Sequence, residues 1–211
     1  MALIFLELGQ DAHIVGGDLY TAVDEGVRQG YLEGYLRKSV VDHPLSARIN
    51  TKDNTPAVIW TEIVPGDKLK IIATPQGGGG EFVSRSCVLT PAAGQPALVD
   101  FVVNTVERAG GYACPPYIVG VGVGGTYEKT AMLAKKALFR KIGKPSPDAE
   151  VAELEREILQ KVNNLGIGPM GYGGRVTALA VHAEVFPCHM AHLPVVTNMQ
   201  CHSVRRKEAI L

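Results

Sequence analysis

Thiols and imidazoles gather at two places along this chain. Cys114 is followed by Pro115 and Pro116, which fix the backbone and withdraw two N–H donors. Tyr117 to Val123 behind them is a short apolar run rich in β-branched residues, the pattern of a buried strand. The last quarter holds His182, Cys188, His189, His192, Cys201 and His202. Zinc takes both residue types, although no ligands are paired here at knuckle spacing. A second option takes Cys114 and Cys201, each at a strand boundary near a turn, as thiolate ligands of an iron–sulfur cluster. A four-iron cluster held by only three cysteines keeps one iron open as a Lewis acid. Spacing alone leaves both options standing.

Glycines supply the second chemical signal. Gly77, Gly78, Gly79 and Gly80 run consecutively into Glu81. Such a run is costly to order. It is either a flexible tip or a backbone that must approach a ligand closely, with N–H groups facing an anion. Gly120-x-Gly122-x-x-Gly125, between a strand and a helix, matches the dinucleotide fingerprint. That fingerprint also needs a second strand and an acidic residue about 20 positions on. Phe139 to Pro145 is basic and loop-like instead, so a nicotinamide site is rejected.

The elements that must position these groups follow from periodicity. Ala2 to Leu8 is strand-like. Asp18 caps a helix whose stripe is Val23, Val27, Tyr31 and Tyr35 and which ends in Leu36-Arg37-Lys38. There Arg37 has a plain structural use against the helix dipole. A long polar loop follows, from His43 to Ala57. Ala57–Val64 and Lys68–Thr74 are strands around Pro65-Gly66-Asp67, a hairpin turn by its composition. Ser86–Thr90 is a strand carrying Cys87, and Ala97–Arg108 a helix stopped by Gly110-Gly111. Thr126 caps a helix from Tyr127 to Ile142. Ser146-Pro147-Asp148 opens another, with Leu154, Ile158 and Val162 on one face. Val176–His182 and Val195–Met199 are the last strands. The interleaving predicts an α+β fold with mixed sheets and hairpins rather than a doubly wound parallel one.

Composition bounds the rest. At 211 residues the chain fits one sizeable domain, or one and a small extension, with ample core. Twenty-one basic and 21 acidic residues balance, so no broad field points to nucleic acid or a membrane. No apolar run approaches the ~18 residues of a membrane-spanning helix. Met1 opens directly onto an apolar strand with no basic leader, which predicts a cytoplasmic protein with reduced thiols.

Several long motifs occur in order: FLELGQDAHIVGGDL, YLRKSVVDHPLSARINTKDNTPAV, VPGDKLKI, the GGGGE loop, CPPYIVGVGVGG, AKKALFRKIG, NLGIGPMGYGG and PVVTNMQCHSVRR. Together they resemble the α subunit, or N-terminal domain, of the class I iron–sulfur fumarate hydratases across essentially all of residues 1–211. The tartrate dehydratase α subunit is similar but a poorer fit. The resemblance implies a 4Fe–4S cluster held by three cysteines, with Cys114 and Cys201 matching two of them. It implies that Arg37 binds a substrate carboxylate, that Gly77, Gly78 and Gly79 supply a backbone donor, and that His189 is a catalytic histidine. Cys188 replaces the usual threonine before that histidine, and Cys87 stands where the family has an apolar residue. It further implies a β subunit as partner in a hetero-oligomer, a heterotetramer, and a small dicarboxylate as substrate. The expected activity is interconversion of fumarate and L-malate in the tricarboxylic acid cycle.

One departure stands against the pattern. The family's first cluster cysteine lies in a Cys-Gln-Asp-Thr-Gly motif just upstream of the residues matching Met1-Ala2. The sequence is therefore read as lacking that ligand, the neighbouring aspartate and the helical portion before them. An inactive remnant domain holding zinc, or nothing, through Cys201, His189 and His192 is the competing expectation.

Overall fold

Ala2–Gly9 forms β1, whose residues Ala2 to Leu6 are all buried. A strand apolar on both faces belongs in the middle of a sheet. In the computed structural model, which describes residues 1–203 and 205–211, β1 lies between β2 (Val58–Val64) and β3 (Leu69–Pro75). It pairs in parallel with β2, Leu3 opposite Val58, and antiparallel with β3, Leu3 opposite Thr74. The expected β2–β3 hairpin is therefore wrong. Pro65-Gly66-Asp67 does reverse the chain, but it carries it across the end of β1. There Gly9 N–H donates to the Lys68 carbonyl and Gln10 N–H to the Val64 carbonyl, both at 2.8 Å. A methyl group on Gly9 would sit 2.7 Å from the Gly66 carbonyl carbon, so only glycine fits under this turn. β8 (Lys207–Ile210), which periodicity did not reveal, completes the sheet in the order β2-β1-β3-β8.

Helix α1 (Leu19–Glu33) covers this sheet, burying Val27 and Tyr31 against Ala2, Ile4, Leu6 and Leu69. Asp18 caps it as expected, Oδ1 accepting from Thr21 N–H at 2.7 Å. Its end is earlier than the apolar stripe implies. Gly34 follows the last turn, and Tyr35 is 94 % exposed with φ +51°. Leu36, Arg37 and Lys38 thus stand outside the helix, and the dipole account of Arg37 fails.

These elements make one compact unit, Met1–Gln76 with Arg205–Leu211; Gly77–Val204 make a second. Val204, within the last motif, lies outside the described residues. The second unit is built on a mixed sheet ordered β4 (Arg85–Leu89), β7 (Leu193–Gln200), β5 (Tyr117–Gly124), β6 (Ala178–Phe186). β5 runs parallel to β6 and antiparallel to β7. The α+β class with mixed sheets is the fold observed. Between β3 and β4 lies the short helix α2 (Gly78–Phe82). The glycine run is ordered rather than a flexible tip.

The side chains of β5 alternate between two helical layers. Tyr117, Val119 and Val121 share a core with Val102 and Val106 of α3 (Gly94–Ala109) and Ile158 and Val162 of α5 (Ala149–Asn164). The opposite positions, Gly120 and Gly122, meet α4 (Tyr127–Ala137). A methyl group on Gly122 would overlap the Thr130 carbonyl and lie 2.7 Å from Ala134 N. One on Gly120 would lie 2.9 Å from Leu138 Cγ. The fingerprint-like glycines therefore let a helix lie directly on a strand. Gly122→Ala is expected to destabilise by about 1–3 kcal/mol through overpacking, read as a lower urea midpoint at unchanged slope. Two further boundaries differ from periodicity. α4 stops at Ala137, and α5 is capped by Asp148, not Ser146, its Oδ1 accepting from Glu150 and Val151 N–H at 2.9 and 3.2 Å.

Candidate functional site

β5 and β7 are antiparallel neighbours, with Ile118 opposite Gln200. Hence the residues just before β5 and just after β7 emerge at the same end of the sheet. Those residues are Cys114 and Cys201. His202, next to Cys201, donates to the Cys114 carbonyl from its backbone N–H at 3.2 Å and from ring Nδ1 at 3.0 Å. Both thiols are free and half-buried. Cys114 has φ +55°, a left-handed conformation that costs a non-glycine residue and tends to collect at functional sites. Tyr117 anchors the same turn by donating from its hydroxyl to the Gly110 carbonyl. Burial, with the neighbouring Cys114 adding to it, pushes the Tyr117 phenol up to about 12.

Two glycine-rich segments close on this turn. A methyl group on Gly79 would lie 2.9 Å from the Tyr112 carbonyl oxygen and 3.4 Å from Ala113 Cα. The glycines of α2 thus bring backbone against the residues leading to Cys114. The loop from Gly166 to Gly174 arrives from another direction. Met170 N–H donates to the Pro115 carbonyl at 2.9 Å, and Gly111 faces the Met170 carbonyl where a methyl group would lie at 3.1 Å. The sequence shows that loop as glycine-rich, yet only the fold reveals it as a wall of the cysteine turn. Lys135 was missed for a different reason. It lies among ordinary helix residues, while its ammonium is buried against Glu81 and Asn198.

Among the described residues, no three His, Cys, Asp or Glu side chains are grouped so as to hold a metal ion. Cys114 and Cys201 stand at the same end of the β5–β7 pair, linked through His202. The competing set of Cys201, His189 and His192 is not brought together. His189 and His192 lie in the turn before β7 and Cys201 at its far end, a strand of eight residues away, or about 27 Å at the usual rise. The same separation sets His189 apart from the cysteine pair within this chain. His189 is exposed, with Nδ1 accepting from Ala191 N–H at 3.1 Å and its ring 5.7 Å from that of His192. Cys188 is exposed beside it. Cys87 is half-buried on β4, where burial pushes its thiol up and makes it a poor nucleophile and ligand.

Arg37 belongs to the first unit, exposed in the segment after α1, with Nε donating to Ser39 Oγ at 3.1 Å. The long loop behind it is pinned by side chains. Ser39 N–H donates to Asn54 Oδ1 at 2.9 Å, Asn50 Nδ2 donates to the Lys38 carbonyl at 3.1 Å, and Asp53 Oδ1 accepts from Thr55 N–H at 3.0 Å. Hydrogen bonds from the Thr55 backbone and hydroxyl, then from Arg28, hold the Asp53 carboxyl far below the usual carboxylate range. The guanidinium is thus presented from an ordered segment.

Comparison with known proteins places these features in context. Residues 1–210 match the family model described as Fumarate hydratase (Fumerase). A protein of Methanocaldococcus jannaschii named "Putative L(+)-tartrate dehydratase subunit alpha" is 41% identical over 211 residues, covering 97% of this chain and 73% of that protein. The L(+)-tartrate dehydratase subunit alpha of Escherichia coli O157:H7 is 32% identical over 208 residues, covering 97% of this chain and 68% of its own length. The protein of the same name in Shigella boydii shows the same identity and coverage. The relatives carry the tartrate name, where the motifs had favoured fumarate hydratase as the better fit.

Proposed function

Because this chain belongs to the fumarate hydratase family, whose members are hydro-lyases, we propose that it is the α subunit of an enzyme removing water from a hydroxylated four-carbon dicarboxylate. The names of its relatives put L(+)-tartrate ahead of L-malate as the substrate. Interconversion of fumarate and L-malate is the second reading, supported by the family description. The observation that carries the proposal is the meeting of Cys114 and Cys201 at one end of β5 and β7, tied by His202.

Dehydration takes a hydroxyl from one carbon and a proton from its neighbour, where the proton is weakly acidic and charge builds on the adjoining carboxylate. Cys114 and Cys201 would be two of the thiolates holding a 4Fe–4S cluster. When bound, such a cluster with one iron free of protein ligands supplies a Lewis acid without redox change. Arg37 grips a substrate carboxylate through its planar fork. The Gly77, Gly78 and Gly79 backbone offers fixed N–H donors beside the cysteine turn. His189 relays a proton, and since it lies a strand length from its own cysteine pair, it reaches such a pair only across a subunit boundary. The relatives are named as alpha subunits, which supports a β-type partner carrying the remaining groups.

The test is anaerobic loading with iron and sulfide of the chain assembled with its β-type partner, then assay with L(+)-tartrate, L-malate and fumarate. Tartrate should be turned over with the highest kcat/KM, and the chain without its partner should be silent. Turnover of malate and fumarate but not tartrate would move the assignment to the second reading. Turnover of none would end the hydro-lyase proposal.

A further inference from the structure

Lys135 lies near the end of α4, and its side chain is only 13 % exposed. Its Nζ forms an ion pair with Glu81 at the end of α2 and donates to Asn198 Oδ1 of β7 at 3.0 Å. Asn198 Nδ2 in turn donates to Ser84 Oγ at 2.5 Å, and Ser84 Oγ donates to the Gly80 carbonyl at 2.6 Å. Lysine can only donate, so the Asn198 oxygen must face it and the amide NH2 must face Ser84. Gly80 and Glu81 are consecutive residues. The contacts therefore form a closed ring, from α2 through Ser84, Asn198 and Lys135 back to α2.

Two features of the candidate site lie on that ring. α2 carries the glycines that approach the residues before Cys114, and Asn198 stands three positions before Cys201 on the same chain segment. We infer that Lys135 is a positioning residue that locks the Gly77–Gly80 segment to the β7 strand leading to Cys201. The lock itself rests on the geometry above, whereas its effect on substrate rests on the proposed function.

Burial pushes Lys135 down to about 7. Arg85 and Tyr127 line the same cleft. Replacing the lysine alone breaks this pair, but the Glu81 side chain is 44 % exposed and can turn to water, so the loss of stability should be small. Stability and positioning therefore separate experimentally.

Lys135→Met and Lys135→Arg are compared with the parent by hydrogen exchange and thermal unfolding on the full chain. Kinetics are measured on the cluster-loaded assembly with its β-type partner. For Lys135→Met we expect a Tm within a few degrees of the parent's and amide exchange at residues 78–84 faster by about tenfold or more. We also expect KM to rise about tenfold with kcat within about threefold, the pattern of lost substrate orientation at an intact chemical centre. Lys135→Arg should restore most of both. Unchanged exchange at 78–84 overturns the lock. Faster exchange spread over the whole second unit with a large fall in Tm also overturns it, since that is a packing role. Faster local exchange with unchanged kinetics overturns the link to substrate. If the parent assembly turns over no dicarboxylate, the proposed function has failed, and the exchange data alone decide the lock.

Discussion

Replacing Cys114 or Cys201 by serine in the assembled enzyme is expected to abolish cluster binding and lower kcat by roughly three orders of magnitude, the weight of a Lewis acid worth several kcal/mol. Serine keeps the size of the side chain but offers no soft thiolate for iron. Both cysteines are half-buried at the ends of paired strands, and the two segments are tied by the backbone bond from His202 N–H to the Cys114 carbonyl. The fold should therefore survive either change, with Tm close to that of the parent. Cys87→Ala serves as the internal control. Cys87 packs against the core from β4, and the site does not use it. That variant should keep iron, sulfide and turnover. Iron and sulfide content after anaerobic purification is the readout that does not depend on knowing the substrate. A Cys114→Ser protein with full iron content would remove the cysteine pair from the proposal.

The cysteine pair also shows what a linear pattern can and cannot carry. Apolar runs marked β5 and β7 correctly, and the Cys-Pro-Pro and Gln-Cys-His motifs put thiols at their ends. Which end of the sheet each thiol occupies depends on the relative direction of the two strands. No periodicity encodes that. The same gap explains His189, which lies only twelve positions before Cys201 in sequence. A fully extended strand between them turns sequence proximity into spatial separation. β2 and β3 failed for a related reason. Their turn is a genuine reversal, but the fully apolar β1 inserted between them, and short-range pattern is blind to a strand arriving from elsewhere in the chain. Helix ends differ where Gly34 stops α1 short of its apolar stripe, and where Asp148 rather than Ser146 takes the capping position of α5. Lys135 was invisible because a buried ammonium on a helix looks like any surface lysine until the fold covers it.

Arg37→Lys is expected to lower kcat/KM by roughly 10- to 150-fold, the cost of one charge-assisted hydrogen bond worth about 1.5–3 kcal/mol, while leaving Tm unchanged. The structural alternative placed this residue in the last turn of α1, where any cation would serve and lysine would be a silent replacement. The helix ends at Glu33, and Tyr35 with its left-handed backbone separates Arg37 from it. Arg37 is exposed, and its one side-chain bond among the described residues is Nε to Ser39 Oγ. Nothing in the first unit therefore calls for a planar five-donor fork at this position. The ordering of the loop behind it, through Asn54, Asn50 and Asp53, nevertheless holds its backbone in one place. An exposed guanidinium on an ordered segment is what carboxylate recognition requires, because the entropy of holding the donor is already met by the fold. Lysine keeps the charge but presents a point donor in place of the bidentate pair. The loss should then appear chiefly in KM if Arg37 grips substrate and transition state alike, and in kcat if it follows the charge that builds on the carboxylate. Thermal unfolding and steady-state kinetics on the same preparations separate the accounts. A fall in Tm with activity preserved would return Arg37 to the fold and leave the carboxylate without its proposed partner.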